Sequence, residues 1–84
     1  MNIKIRVNNM RDAERLSHLC NRFPYEMLLH ANQFCADPKS TLGVLAMMYA
    51  DRTKLVIDTG DMPDDVIMDF SEQLADFVKP AEAA

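Results

Sequence analysis

Residue types that could perform chemistry are few and scattered along this chain. Its two histidines, His18 and His30, and its two cysteines, Cys20 and Cys35, occur at spacings that match no metal-binding or redox motif. Free cysteine is usually a small buried residue, so we expect both thiols to be reduced and to lie in the core. The sequence therefore predicts no metal site and no cofactor.

Ser40 is the most informative candidate. It follows Asp37-Pro38-Lys39, where proline ends a strand pattern, and it precedes a short apolar run beginning at Thr41. Serine is a preferred helix N-cap, and the free N–H groups of a helix start would also stabilise a phosphate on its hydroxyl. Two interpretations stay open: Ser40 only caps a helix, or it is also a phosphorylation site.

Hydrophobic periodicity predicts the elements around these residues. Residues 2–7 alternate as a half-buried strand, and residues 11–22 repeat apolar positions every three or four residues, as in an amphipathic helix that ends before Pro24. The later predicted elements are strands at 25–30 and 34–36, a short helix at 41–48, a strand at 54–57 and a helix at 64–79. A chain with this order can cover one face of a four-stranded, mostly antiparallel sheet with both long helices, which is a two-layer α+β domain.

Length and charge limit the classes of function. The 84 residues suffice for one domain, predicted at 1–80 with a tail at 81–84. No apolar run reaches the roughly 18 to 20 residues of a membrane span and no signal peptide is evident, so we expect a cytoplasmic protein. The net charge is −4 and no lysine or arginine cluster occurs, which argues against a nucleic-acid surface and favours a protein partner or a small ligand.

The segment 37–46 resembles the regulatory-serine region of HPr, the phosphocarrier of the bacterial sugar phosphotransferase system. In both, a Lys-Ser pair, here Lys39-Ser40, follows a strand and precedes a short apolar helix that contains a glycine, here Gly43. An ungapped extension keeps the apolar positions in step over nearly the whole chain. The resemblance implies an open-faced β-sandwich of element order βαββαβα with sheet order 1-4-2-3.

The same resemblance implies that phosphoryl transfer has been lost. In HPr the first strand leads to a Gly-x-His-x-Arg-Pro motif whose histidine carries phosphoryl groups from Enzyme I to sugar transporters. Here Asn9 stands at the histidine and Asp12 at the proline, while Arg11 is kept. An amide nitrogen is a poor nucleophile because its lone pair is delocalised, and Asp12 adds negative charge. We therefore expect no catalytic residue and no enzyme activity.

In HPr the matching short helix and histidine loop dock partner proteins. The resemblance implies protein partners of the kind HPr kinase/phosphorylase, a transcriptional regulator or a phosphotransferase component. The residues that it places in a partner-binding surface are Arg11, Lys39, Leu42, Leu45 and Met47. The leading hypothesis is a non-catalytic HPr-like regulator controlled at Ser40. The alternatives are a phosphocarrier that uses a non-standard residue, and a generic split-βαβ binding domain.

Overall fold

A computed structural model describes residues 1–51 and 54–78 of the chain. The predicted order βαββαβα is confirmed, and the predicted tail at 81–84 lies outside the described residues. The elements are β1 (Asn2–Lys4), α1 (Met10–Asn21), β2 (Leu28–Ala31), β3 (Phe34–Ala36), α2 (Thr41–Asp51), β4 (Val56–Asp58) and α3 (Asp64–Gln73). Helix α2 is longer than predicted, whereas α3 is shorter and continues as turns to Phe77.

The four strands form one antiparallel sheet of order β1-β4-β2-β3, as the HPr resemblance implies. Strand β4 lies between β1 and β2, so that Ile57 pairs with Ile3 on one side and with Leu29 on the other. Strands β2 and β3 form a hairpin through Asn32-Gln33. Asn32 has a φ of 56°, and asparagine tolerates this left-handed turn conformation better than most residues.

One face of the sheet is covered by the three helices. Ile3, Leu29 and Ile57 share that face and are buried, whereas the alternate residues Lys4 and Leu28 are exposed on the other face. The helices contribute the rest of the core, in which the rings of Phe23 and Phe70 meet edge to face with centroids 5.0 Å apart. The predicted open-faced α+β sandwich is confirmed.

The two outer edges of the sheet differ. On the β1 side, Arg6 N–H donates to the carbonyl of Phe77 at 2.7 Å, and Ile5 forms a bridge with Val78. Residues 77–78 therefore cover residues 5–6, directly after β1. Within the described residues no strand pairs with the outer edge of β3. Residues 2–7 alternate as predicted, but the regular strand ends at Lys4, and Ile5 forms an isolated bridge with Val78.

The two cysteines lie in different environments. Cys20 on α1 is buried, and this burial raises the pKa of its thiol from an ordinary value of 9.0 to about 12. Cys35 is exposed because it lies on β3, at the edge of the sheet, opposite His30 on the uncovered face. Both thiols are free. The prediction of a core cysteine is thus confirmed for Cys20 and wrong for Cys35.

Candidate functional site

Asn9 and Asp12 form the N-terminal cap of α1. Asn9 has an extended backbone, and its side-chain oxygen accepts the Asp12 N–H at 2.8 Å. Asp12 in turn accepts the Asn8 N–H through Oδ2 at 3.2 Å. The first bond satisfies an N–H group that a helix start leaves free, and the second joins Asn8, which precedes the cap, to the first turn. Asn9, which the HPr resemblance aligns with the phosphoryl-accepting histidine, is a helix cap whose amide oxygen is already bound.

Arg11 lies in the first turn of α1, two residues after Asn9. Its side chain is exposed, and no described residue makes a hydrogen bond or ion pair with its guanidinium. An exposed guanidinium offers several donors to an incoming carboxylate or phosphate. Arg11 is thus accessible, as a partner-binding residue must be.

Ser40 is the N-cap of α2. Its hydroxyl oxygen accepts the Gly43 N–H at 3.1 Å, and its own N–H donates to the Asp37 carbonyl at 3.0 Å. The Asp37 side chain also accepts the Lys39 N–H at 2.9 Å, which tightens the turn. The residue is exposed. The predicted capping role is confirmed, and the hydroxyl lies at the surface.

Gly43 lies close to the turn that precedes the helix. A Cβ atom at this position would lie 3.1 Å from the carbonyl oxygen of Asp37 and 3.4 Å from the Cβ of Ser40. The backbone of α2 therefore approaches the preceding turn closely at Gly43. The absence of a side chain lets the Ser40 turn fold back against the first turn of α2.

Asn21, at the end of α1, links α1 to the same turn. Its side-chain amide donates to the carbonyl of Lys39 at 2.9 Å and to the carbonyl of Ser17 at 2.8 Å. The Ser40 turn is therefore bonded to a neighbouring helix as well as to its own. Lys39 itself is half-buried, and it lines a groove of about 470 Å³ together with Glu26 and Asp58 among others.

The outer face of α2 is apolar. Leu42 and Tyr49 are 79% and 80% exposed, and the seven-residue interval places them on the same face of the helix. Leu45 lies between them and is partly buried against the core. No residue from Thr41 to Ala50 carries a charge. A helix that is apolar on its inner and its outer face is typical of a buried or interface element.

Met47 does not belong to that outer face. It follows Leu45 by two residues, about 200° around the helix, and is only 3% exposed in the core. Met48 is buried as well, at 8%. The prediction that Met47 belongs to a partner-binding surface is therefore wrong, because its side chain packs in the core on the inner face of α2.

Met10 and Tyr49 were missed by the sequence analysis. With Asn8, Asn9 and Met48 they line a groove of about 410 Å³ between the start of α1 and the end of α2. Met10 is 57% exposed. The signal that could have revealed Tyr49 is its seven-residue spacing from Leu42. We call the exposed apolar residues here the α2 surface; they are Met10, Leu42, Leu45, Ala46 and Tyr49.

The two histidines lie apart from this surface. His18 is exposed in the second half of α1, and His30 is half-buried in β2. In residues 1–51 and 54–78 no three side chains of histidine, cysteine, aspartate or glutamate are grouped so that they could hold a metal ion. None of the helices formed by those residues has the length and apolar character needed to cross a membrane.

In comparisons with known proteins, no family model, no curated protein and no solved structure matches this chain. The assignment of a function therefore depends on the surfaces described above.

Proposed function

We propose that this chain is a non-catalytic regulatory module of the HPr type, which acts by docking a protein partner through the α2 surface. One observation carries the proposal: Leu42 and Tyr49 are about four-fifths exposed on a helix without a charge from Thr41 to Ala50. Exposed apolar side chains on one helix face mark interaction sites in folded proteins. The sheet order and the Lys39-Ser40 turn support the HPr resemblance.

The partner needs an apolar patch with a carboxylate beside it. Leu42 and Tyr49 would supply the apolar contacts, and aromatic residues at the centre of an interface often dominate its binding energy. Arg11, one residue after Met10 at the edge of the α2 surface, would bind the carboxylate. A transcriptional regulator, a phosphotransferase component or HPr kinase/phosphorylase in the cytoplasm fits this description.

Phosphorylation of Ser40 would regulate the docking. The hydroxyl is exposed at the N-terminus of α2, where free N–H groups and the Lys39 ammonium favour a phosphate. In this reaction the Ser40 oxygen attacks the γ-phosphate of ATP, ADP leaves, and the hydroxyl proton is released. The added charge would lie two residues from Leu42, at one end of the α2 surface. It would therefore change which partners can bind.

Asn9 is the reason to propose a non-catalytic role. Its amide nitrogen is not a nucleophile, and its amide oxygen is bound to the Asp12 N–H. Neither histidine of the chain lies in the first turn of a helix beside a free arginine. We therefore propose that the chain receives phosphate from ATP at Ser40 and not from phosphoenolpyruvate.

Two reactions followed by intact mass test the phosphorylation. With Enzyme I and phosphoenolpyruvate the mass should stay unchanged. With HPr kinase and ATP it should rise by one phosphate, and the Ser40→Ala variant should show no rise. An acid-labile phosphate from phosphoenolpyruvate would instead support a phosphocarrier, and no reaction with either donor would favour a generic binding domain.

The docking is tested by titrating a purified HPr-binding transcriptional regulator with the chain, both before and after phosphorylation. Leu42→Lys and Tyr49→Lys should each weaken binding about tenfold or more, which corresponds to at least about 1.4 kcal/mol. Met68→Lys is the matched control, because Met68 is 69% exposed but lies on α3. Equal affinities for all variants would contradict the proposal.

A further inference from the structure

Two ridges of opposite charge run along α1 and α3. The basic ridge consists of Arg11, Arg15, His18 and Arg22, and the acidic ridge consists of Asp65, Asp69, Glu72 and Asp76. All eight residues are exposed. Both sets have successive intervals of four, three and four residues, which places the members within α1 and α3 on one helix face; Arg22 follows directly after α1 and Asp76 lies in the turns after α3.

The ridges lie side by side and run in opposite directions. Arg15 Nη2 lies 3.2 Å from Asp76 Oδ2, and the Arg22 guanidinium donates to the side-chain oxygen of Gln73. Residue numbers thus rise along α1 while they fall along α3, so the two segments are antiparallel. Positive and negative side chains flank one seam on the surface.

Contacts within the chain leave most of these charges without an opposite partner. Arg15 has two carboxylates near it, Asp12 at 3.3 Å and Asp76 at 3.2 Å. Arg22 bonds to an uncharged amide, and no described residue bonds to the His18 side chain. On the acidic side, Asp69 accepts only from the Gln73 amide among the described residues.

We infer that the α1–α3 face binds a second copy of this chain. A two-fold axis along the seam, parallel to both helices, places α1 of each copy over α3 of the other. Because the axis is parallel to both helices, the rotation leaves every residue at the same height along them. Arg15 lies level with Asp76, so Arg22 of one copy meets Asp69 of the other within about one helical turn. One self-complementary surface is thus used twice, as closed two-fold dimers require.

The dimer is weak and depends on salt. Exposed ion pairs contribute little individually and are screened by dissolved ions. The net charge of −4 on each copy also opposes association. The apolar residues of the α2 surface belong to neither ridge, and Arg11 is the one residue assigned to both interactions. The variants used below leave Arg11 unchanged, so the loss of dimerisation can be distinguished from the loss of partner docking.

Analytical ultracentrifugation of the full chain tests the inference. The dimer fraction should be measurable at about 50 mM salt and should fall several-fold at about 500 mM salt, where the Debye length is much shorter. Charge reversal gives the sharper experiment. His18→Glu with Arg22→Glu places two carboxylates opposite Asp69 and Glu72 of the other copy, and Asp69→Lys with Glu72→Lys places two ammonium groups opposite His18 and Arg22.

Each doubly substituted variant should be a monomer alone, and an equimolar mixture of the two should form a heterodimer. Lys4→Glu, on the uncovered face of the sheet, is the control that should dimerise as the unmodified chain does. Circular dichroism confirms folding, and His18→Glu and Glu72→Lys alone replace any pair that does not fold. The inference is overturned if the unmodified chain is monomeric at about 1 mM and low salt. Dimerisation of one reversed variant alone, or a mixture that stays monomeric, would also overturn it.

Discussion

The hydroxyl oxygen of Ser17 on α1 lies 2.6 Å from the hydroxyl oxygen of Thr41, the first residue of α2. Ser17 also donates to the carbonyl of Glu14 at 3.0 Å. A hydroxyl has one hydrogen, so Thr41 is the donor in the bond between the two residues. The bond joins the middle of α1 to the residue directly after Ser40. The Ser40 turn is therefore held in place by α1.

Thr41→Val should lower the free energy of unfolding by about 1 kcal/mol, because it removes this hydrogen bond and keeps the shape of the side chain. Thr41→Ser is the matched control, since it retains the hydroxyl. Urea unfolding of the three proteins measures the difference. If Thr41→Val and the unmodified chain unfold at the same urea concentration, the bond does not contribute to stability.

Substitutions at Ser40 separate capping from charge. Ser40→Ala should cost about 1 kcal/mol, because the Gly43 N–H loses its acceptor. Ser40→Asp should stay within about 0.5 kcal/mol of the unmodified chain, since aspartate caps as well as serine and its charge suits the helix start. Thermal unfolding measures both. Unfolding of the domain by Ser40→Asp would exclude a phosphate at this position.

Asn9→Ala should lower stability by about 1 kcal/mol, because the Asp12 N–H loses its acceptor at the start of α1. Asn9→Ser should largely preserve the stability, as serine is an equally good cap. Hydrogen exchange of the Asp12 amide, compared among the three proteins, locates the effect. Equal exchange in all of them would show that the cap is not formed in solution.

The two thiols should differ in reactivity. In the folded chain only Cys35 should react with a thiol reagent at pH 8, because Cys20 is buried and its pKa is raised to about 12. Denaturation should expose the second thiol. Cys35→Ser should leave no thiol that reacts in the folded state. Two rapidly reacting thiols in the native protein would contradict the burial of Cys20.

Cys20 should also make stability depend on alkaline pH. Its folded pKa is above the unfolded value of 9.0, so its contribution is fully present below pH 9. As the pH rises from 9 towards 12, the unfolded chain loses the proton first, and stability falls by at most about 1.4 kcal/mol per pH unit. Cys20→Ala should lose this part of the slope and Cys35→Ser should keep it, in urea unfolding at several pH values.

Local patterns predicted much of the fold. Alternation identified the buried residues Ile3, Ile5 and Val7, and all three are in the core. The order of the strands came from the HPr resemblance, because hydrophobic periodicity does not show which distant strands pair with one another. The error at Cys35 has the same origin. Whether a strand lies at the edge of a sheet depends on partners that are distant in sequence.

The candidate site was predicted where it is local. The cap at Ser40 depends on residues within a few positions, and it is present. Tyr49 was missed because the predicted helix ended at 48, whereas no residue there stops a helix and α2 continues to Asp51. Because the predicted helix lacked Tyr49, its outer apolar face could not be distinguished from the inner face that contains Met47.

The unequal edges of the sheet have a consequence for aggregation. Residues 77–78 pair with Arg6 and Ile5 directly after β1, so another chain cannot add a strand along residues 5–6 without displacing them. Strand β1 itself carries the charged Lys4, whereas the three residues of β3 include no charge and no proline, the features by which natural proteins protect an open edge, and Phe34 is 50% exposed. A strand from a partly unfolded molecule should therefore pair more readily with β3 than with β1. Ordered aggregates of this domain would start at the β3 edge.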